Sequence, residues 1–371
     1  MTDFLTQDIP AITGRVRAEP EDFVVDERLA YELTGEGTHL WFRIEKRELT
    51  TFEVIRRLAR AFGRREDDFG HAGLKDRNAV TRQWLSLEFA SPEDVEAVDI
   101  AGLDVLEVTR HGNKLKVGHL RSNRFQIRVR DTADGDEARA REVIEVLTAR
   151  GLPNWFGEQR FGHRGVTPKL GRALLAGDFD EFLRLFAEGS SDGLVRRALS
   201  TAEQRGRAEP GVRSLPKRFL SLCTSAVQSE VFNRVLAARL QTLDQVCDGD
   251  IAYKHDNGAC FLVKDAAEEA PRLARFEISP SAPLPGKACL RAAGAQADIE
   301  STAMEQLHLT WDSFDVGGPW SQKGGRRALR VPLARAGIAR EGDDLVLDFS
   351  LPKGSYATAV LGELLKVHPI A

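Results

Sequence analysis

The sequence has few of the residues that would support a disulfide framework, a structural zinc site or a membrane span. Its four cysteines are widely spaced and form no C-x-x-C pair, which argues against both disulfide bonding and zinc ligation. No apolar run approaches the roughly 20 residues of a membrane helix. Residues 1–15 lack the basic start and apolar centre of a signal peptide. We therefore expect a cytoplasmic protein without a metal site.

The chain is too long for a single hydrophobic core. At 371 residues it exceeds the roughly 250–300 residues at which one core stops growing, so two domains are expected. Hydrophobic residues make up 42% of the sequence and charged residues 29%, and this composition is typical of a globular protein.

Positive charge is concentrated locally, although the net charge of −4 argues against a polyanionic partner. Residues 110–130 contain no Asp or Glu and seven cations: Arg110, Lys114, Lys116, Arg121, Arg124, Arg128 and Arg130. A local basic surface can bind phosphates, because salt confines the relevant field to about 10 Å. The alternative is a solvated strand face that binds nothing.

Residues 1–150 alternate strand-like and helix-like patterns. Strands are predicted at residues 23–25, 39–44, 85–89, 103–108 and 125–129. A helix is predicted at residues 51–62, with Gly63 just past its end, where a left-handed cap is expected. Two-faced strands of this kind favour a mostly antiparallel or mixed sheet with helices on one side.

From Gly151 onward the sequence is rich in Arg, Gly and Pro. It predicts helices at residues 178–187 and 225–241, a proline-containing loop at 279–286 and a flexible cationic segment at 320–327. A strand pattern returns at residues 345–349. Because this strand follows a long segment of different composition, it suggests that the segment is an insertion that interrupts the first domain.

Residues 73–84 read G-L-K-D-R-N-A-V-T-R-Q-W and place one carboxylate, Asp76, between Lys75 and Arg77. The pattern predicts a turn that leads directly into a strand. A carboxylate set between cations can stay ionised inside a pocket. On charge pattern alone, however, such a triplet is more often a solvated loop.

Two further segments follow in order along the chain. Residues 154–162 read N-W-F-G-E-Q-R-F-G, and residues 351–358 read L-P-K-G-S-Y-A-T. Together the three segments resemble the signature segments of the TruD family of tRNA pseudouridine synthases. The resemblance extends from about residue 14 to residue 365, and its motifs are specific to one family.

The resemblance implies an α+β fold and an RNA-modifying activity. A pseudouridine synthase catalytic domain, with a mixed, mostly antiparallel sheet flanked by helices, would comprise residues 1–150 and 332–371. A TruD-specific α/β domain would be inserted at residues 151–331, with a basic cleft between the two domains. The implied reaction is isomerisation of uridine 13 in the D arm of tRNA by a monomer, without a cofactor or a protein partner.

The reaction breaks the bond between uracil N1 and ribose C1′ and joins C5 to the same carbon. It calls for a carboxylate at the sugar, an aromatic face for a flipped base and cations for phosphates. The family's catalytic aspartate corresponds to Asp76, and whether it attacks C1′ or removes the C2′ proton stays open. Arg17 stands where the family usually has lysine, as a substrate-binding residue or a surface phosphate contact. Lys75 and Arg77 are RNA-binding candidates.

Four residues match the positions at which the family contacts the target base. Phe23, in P-E-D-F-V-V, matches a substrate-contacting phenylalanine, although from composition alone it is a core residue. Asn123 and Phe125 match an N-x-F pair that faces the active site. The Asn123 amide can both donate and accept along the edge of uracil. The alternatives without a function are that Asn123 is a turn residue that opens a strand and that Phe125 is a core residue. Tyr356 falls where the family places an aromatic ring against the base.

In the middle segment, Arg160 can reach a phosphate or a structural carboxylate. We favour an architectural role for this segment, with RNA contact second.

Two functions of other classes remain compatible with the sequence. Four histidines, His71, His111, His119 and His163, lie near the motifs and suggest the acid and base of a ribonuclease. No H-x-x-x-H or other metal-ligand spacing accompanies them. The second alternative is a non-catalytic RNA-binding protein.

Overall fold

The computed structural model describes residues 4–162, 165–189, 193–318 and 320–367. Contacts divide the chain into two compact units. We call residues 8–149 and 332–357 the sheet unit, and the remainder, residues 1–7, 150–331 and 358–371, the helical unit. The sequence assigns residues 1–7 and 358–371 to the first domain, whereas contacts group them with the helical unit. The insertion of a domain at residues 151–331 stays a prediction.

In the described part of the sheet unit, nine strands form one sheet. The strands are β1 Arg15–Val16, β2 Phe23–Leu29, β3 His39–Arg47, β4 Gly70–His71, β5 Val80–Glu88, β6 Leu103–His111, β7 Leu120–Arg130, β14 Ala334–Glu341 and β15 Asp344–Pro352. Their order in the sheet is β14-β15-β7-β2-β5-β3-β6, with β1 paired to β7 and β4 to β5. The helices are α1 Thr51–Ala61, α2 Pro92–Glu96 and α3 Asp136–Arg150. All pairs are antiparallel except β2 with β5, so the sheet is mixed and mostly antiparallel, as predicted.

Alternation along the strands separates two faces of the sheet. The apolar side of α1, which includes Val54 and Leu58, packs on Leu40, Phe42 and Leu85. On the opposite face, Trp41 and Trp84 form a separate cluster with Leu115 and Leu120. Helix α1 begins with a capping box in which Thr50 and Glu53 bond each other's backbone amides. The predicted left-handed cap is confirmed, because Gly63 has a φ of 61°.

The helical unit contains the remaining elements. Its helices are α4 Glu158–Phe161, α5 Val166–Ala176, α6 Phe179–Gly189, α7 Gly193–Arg205, α8 Ala208–Arg213, α9 Lys217–Arg239, α10 Ala266–Ala274, α11 Gly294–Glu305 and α12 Ala357–Leu365, whose first residue belongs to the sheet unit. Its strands are β8 Leu152–Pro153, β9 Ile251–Lys254, β10 Cys260–Leu262, β11 Ile278–Leu284, β12 Gly325–Ala328 and β13 Arg330–Val331.

Close contact between α5 and α9 organises the core of this unit. Gly171 of α5 faces the Cys223 carbonyl, and a Cβ at that position would lie 2.2 Å from the carbonyl oxygen, so only glycine permits the approach. Near the two ends of the chain, Glu363 of α12 accepts hydrogen bonds from the backbone amides of Leu5 and Thr6, each at 3.0 Å. These bonds join residues 4–7 to α12.

Most predicted elements are confirmed, but two predictions in the helical unit are wrong. The predicted loop at residues 279–286 is largely β11, which pairs with β9 through its first half and with β12 through its second. At Pro280 the edge opposite β9 carries a hydrogen bond from the Leu329 amide to the proline carbonyl at 2.8 Å, a bond that needs no proline N–H. The predicted flexible segment ends in β12, where Arg326 forms a buried ion pair with Glu300 at 2.6 Å. Within the described residues, no helix combines the length and apolar composition needed to cross a membrane.

Candidate active site

The parallel pair β2 and β5 brings two segments that are distant in the sequence to the same end of two neighbouring strands. Val24 lies opposite Val80, so the residues just before each strand emerge side by side. Arg17 precedes β2, and Asp76 lies in the loop before β5, residues 72–79, which we call the Asp76 loop. A guanidinium nitrogen of Arg17 lies 3.4 Å from a carboxylate oxygen of Asp76. The strand register thus explains why Arg17 and Asp76 lie close together.

The Asp76 carboxylate remains accessible beside its cation. Its side chain is 41% exposed and that of Arg17 is 32% exposed. The Arg17 guanidinium also lies over the Phe23 ring, 4.2 Å from the centroid, in a cation–π contact. Arg17 has a φ of 59°, an uncommon backbone conformation for a residue with a side chain. The arrangement presents a carboxylate to solvent at a fixed distance from a cation and an aromatic ring.

Three contacts with buried residues anchor the Asp76 loop to β3, α1 and β2. The ammonium of Lys46, a residue with no exposed surface, donates to the Asp76 carbonyl at 2.8 Å and to the Leu49 carbonyl. The Thr51 hydroxyl at the start of α1 accepts from the Lys75 amide at 3.0 Å. The Lys75 ammonium pairs with Glu27 at 2.5 Å. Because the backbone is fixed on both sides of Asp76, the direction of its carboxylate is set by rigid elements.

Lys46 is a site residue that the sequence analysis missed. Burial lowers its pKa to about 8, against the opposing attraction of the Asp76 carboxylate. A signal was available, because Lys46 continues the inward-facing series Leu40, Phe42 and Ile44 of β3. A lysine at an inward position of a strand is rarely left without a partner.

Removing Lys46 should release the Asp76 loop. In a Lys46→Met variant we expect kcat to fall by about 10- to 100-fold, since a small displacement of a reacting group has costs of this size. In the wild type, the depressed lysine pKa means that the unfolded chain binds more protons between pH 8 and pH 10.5. The free energy of unfolding should therefore rise with pH across that window by up to about 3 kcal/mol.

Denaturant unfolding at several pH values measures that rise, which should be absent in Lys46→Met. Lys264→Met is a control, because Lys264 is an exposed lysine of the helical unit and lies outside the candidate active site. A Lys46→Met protein with normal kcat would show that the contact to the Asp76 carbonyl does not position the carboxylate.

Aromatic rings line the face of the sheet beside Asp76. Phe23 contacts Phe125 edge-on with ring centroids 6.1 Å apart, and Phe125 stacks on Phe349 at 5.5 Å. Phe23 and Phe125 are both buried, which fits the core alternative for most of their surface. Tyr356 is half-buried in the loop between β15 and α12. Gly354 enters that loop with a φ of 79°.

Buried polar atoms without a partner lie on the same face of the sheet. Strand register places Asn123 opposite Glu27 and Thr81 opposite Val25. The Asn123 carbonyl oxygen, the Thr81 hydroxyl and the Gln83 amide nitrogen are buried and have no hydrogen-bond partner in the described part of the protein. Leaving such a group unpaired costs about 1–3 kcal/mol. Asn123 on β7 keeps some exposed surface, whereas Thr81 and Gln83 on β5 have none, so of the three residues Asn123 is the one that a polar ligand could reach.

The three predicted RNA-binding cations have different surroundings. The Lys75 side chain is only 6% exposed in its ion pair with Glu27, so its ammonium is turned toward the protein rather than toward a phosphate. Arg77 is exposed and pairs with Glu53 of the α1 capping box. Arg160, in the helical unit, donates to the Ser229 hydroxyl at 3.0 Å. Its contacts suit an architectural residue.

The basic segment 110–130 divides into a strand part and a loop part. On β7, Arg124 pairs with Asp348, Arg128 with Asp344 and Glu341, and Arg130 with Asp22. These guanidiniums form a ladder across neighbouring strands, so their charge is already balanced. The loop cations Lys114 and Lys116 have no carboxylate partner within 4.0 Å in the described residues, and the Lys114 ammonium donates to the Asp67 carbonyl at 2.6 Å. Arg121, near the start of β7, has no such partner either.

The histidines contribute packing at the positions described, and His163 lies outside the described residues. His111 is buried and stacks on Tyr31 with centroids 5.4 Å apart. The Nδ1 of His119 lies 2.6 Å from the Tyr31 hydroxyl. In the described part of the chain, no group of three or more His, Cys, Asp or Glu side chains is placed to hold a metal ion.

Comparison with known proteins identifies the family. A model of the family described as tRNA pseudouridine synthase D (TruD) matches residues 2–200 and 194–364. The chain belongs to the TruD family. The tRNA pseudouridine synthase D of Geobacter sp. (strain M21) is 43% identical over 396 residues, which cover 99% of this chain and all of that protein. That of Anaeromyxobacter dehalogenans (strain 2CP-C) is 43% identical over 372 residues, 99% of this chain and 97% of that one.

A solved structure supports the same assignment. The crystal structure of a Methanosarcina mazei protein assigned as tRNA pseudouridine synthase D aligns with a TM-score of 0.85 and 26% sequence identity. The alignment covers 100% of this chain and 97% of that one. The predicted family and the predicted α+β pseudouridine synthase fold are confirmed.

Proposed function

We propose that this protein is a tRNA pseudouridine synthase in which Asp76 acts on the ribose of a flipped-out uridine. The observation that carries the proposal is the accessible Asp76 carboxylate, 3.4 Å from Arg17, on a loop anchored by the buried Lys46. Membership of the TruD family supports it. The finer assignment, also a proposal, is that the target is uridine 13 in the D arm.

The target base would be held on the face of the sheet that carries the unpaired polar atoms. The Asn123 carbonyl oxygen, buried and without a partner, can accept a hydrogen bond from the imide N–H of uracil. Phe23 and Tyr356 would supply ring contacts for the extruded base. Flipping the base out of the tRNA stack costs a few kcal/mol, which these contacts and the phosphate contacts offset.

The reaction is an isomerisation and needs no co-reactant. The N1–C1′ bond breaks, the uracil turns, and a C5–C1′ bond forms while the C5 hydrogen leaves as a proton and N1 gains one. Asp76 would either attack C1′ and leave again, or remove the C2′ proton and return it. In both courses Arg17 stabilises the free carboxylate, because the opposite charges attract each other across 3.4 Å.

Primer extension after carbodiimide treatment tests the reaction and its position. An unmodified tRNA transcript incubated with the protein should give one new stop next to position 13, at full RNA length. A transcript with cytidine at that position should give none. Shortened RNA would indicate the ribonuclease alternative, and bound but unchanged RNA the non-catalytic one.

A further inference from the structure

A second cavity in the sheet unit lies outside the site described above. It has a volume of about 320 Å³ and is lined by Tyr31, His111, Asn113, Lys114, Lys116 and His119. The lining combines an aromatic ring, two imidazoles, an amide and two ammonium groups. The volume falls at the lower end of the range for small-ligand pockets, about 300–1,000 Å³.

The aromatic part of this cavity is rigidly built. Tyr31 stacks on His111 with the ring planes 22° apart, and its hydroxyl is bonded to His119. Trp41 supports His111 edge-on from the core, with centroids 5.1 Å apart. Tyr31 nevertheless keeps 37% of its surface exposed. A held aromatic ring with an open surface is the type of platform on which an unpaired nucleobase stacks.

The charge at the cavity is suited to a phosphate. Lys114 and Lys116 belong to the loop part of the basic segment, which has no carboxylate partner within 4.0 Å in the described residues. The arginines of β7 are neutralised by the ladder across the sheet. At the cavity, Lys116 is exposed, and the Lys114 ammonium donates to the Asp67 carbonyl at 2.6 Å, so two cations without a carboxylate partner among the described residues lie side by side. The Asn113 side chain is exposed and can bond the edge of a base.

The cavity is joined to both loops of the candidate active site. In the loop after β6, the Gly118 amide donates to the carbonyl of Ala72, the first residue of the Asp76 loop, at 3.0 Å. The Gly118 carbonyl accepts from the ammonium of Lys353, three residues before Tyr356, at 2.9 Å. One short loop thus connects the cavity wall to the segments that carry Asp76 and Tyr356.

We propose that this cavity binds a second, unpaired nucleotide of the RNA substrate, with its base on Tyr31 and its phosphate at Lys114 and Lys116. The inference rests on the proposed function, because it takes an RNA as the occupant. It adds a second RNA-binding site, distinct from the site that binds the target uridine. Occupancy would tighten tRNA binding without taking part in the chemistry.

Substitutions in the cavity should weaken tRNA binding and leave kcat unchanged. Tyr31→Ala should raise the Kd for tRNA by about 10-fold through lost stacking, whereas Tyr31→Phe, which keeps the ring, should stay within about two-fold. Lys116→Ala should raise Kd by a few-fold and reduce the slope of log Kd against log salt by about 1. The matched control is Lys264→Ala, an exposed lysine of the helical unit, for which we expect neither change.

Direct binding supplies a readout that does not depend on catalysis. Adenosine or uridine monophosphate at millimolar concentration should shift the NMR resonances of the His111 and His119 rings in the wild type and not in Tyr31→Ala, while inorganic phosphate alone should shift them less. No shift with either nucleotide, together with unchanged Kd in Tyr31→Ala and Lys116→Ala, would overturn the inference. If those variants bind tRNA normally while the wild type makes pseudouridine, the cavity inference alone fails. If they bind weakly while no pseudouridine forms, the proposed function alone fails.

Discussion

Asp76→Asn should abolish pseudouridine formation while tRNA affinity stays within a few-fold of the wild type. The substitution removes the charge and the nucleophilic oxygen but retains the size of the side chain and leaves the phosphate contacts intact. We expect kcat to fall by about 10⁴-fold or more, as for other residues that act directly on the reacting bond. Tritium release from tRNA labelled at uridine C5 measures kcat, because C5 loses its hydrogen in the product, and filter binding measures affinity.

The matched control is Asp131→Asn. Asp131 is also exposed and paired with an arginine, Arg15, at 2.5 Å, but it lies outside the site loops. It should keep full turnover. Tritium release by Asp76→Asn at more than a few per cent of the wild-type rate would exclude Asp76 as the residue that acts on the ribose.

Breaking the buried ion pair beneath the Asp76 loop should destabilise the protein strongly. Lys75→Met leaves the Glu27 carboxylate, which has no exposed surface, without its cation. An unpaired buried charge costs about 3–5 kcal/mol, and we expect a decrease of this size in the free energy of unfolding. Urea unfolding followed by tryptophan fluorescence measures it, since Trp41 and Trp84 lie in the same unit.

Two further variants separate the ion pair from the loss of a lysine side chain. The double variant Glu27→Gln, Lys75→Met should recover part of the stability, because no charge is then left buried. Arg77→Met breaks an exposed pair with Glu53 and should cost at most about 1 kcal/mol. Equal losses in Lys75→Met and Arg77→Met would show that burial does not set the strength of the Lys75 pair.

Local patterns were sufficient to predict the elements of the sheet unit. Strand-like patterns located β2, β3 and β7, and Gly63 marked the end of α1. The alternation along β3, extended by two residues, would have placed Lys46 inside. The motif residues of the site were found through resemblance to a family, because their types alone fit a core or a loop equally well.

Long-range pairing accounts for what the sequence could not show. The arginines of β7 looked like a basic surface because their partners, such as Asp348 and Asp22, are more than 100 residues away in the chain. Lys75 looked solvent-facing for the same reason, since Glu27 is 48 residues away. In β11 the prolines suggested a loop, whereas the strand pairs with β9 through its first half and with β12 through its second, both distant in the chain.

Nearest-neighbour analysis of phosphate-labelled tRNA incubated with the pure protein tests the proposed reaction most directly. With the label on the nucleotide that follows position 13, digestion to 3′-monophosphates transfers the label to position 13 and so identifies the modified nucleotide and the base that follows it. We predict one pseudouridine per tRNA molecule, with the neighbour expected for position 13, and RNA of unchanged length. Label that remains entirely in uridine after prolonged incubation with bound tRNA would contradict the assignment of this site to pseudouridine formation.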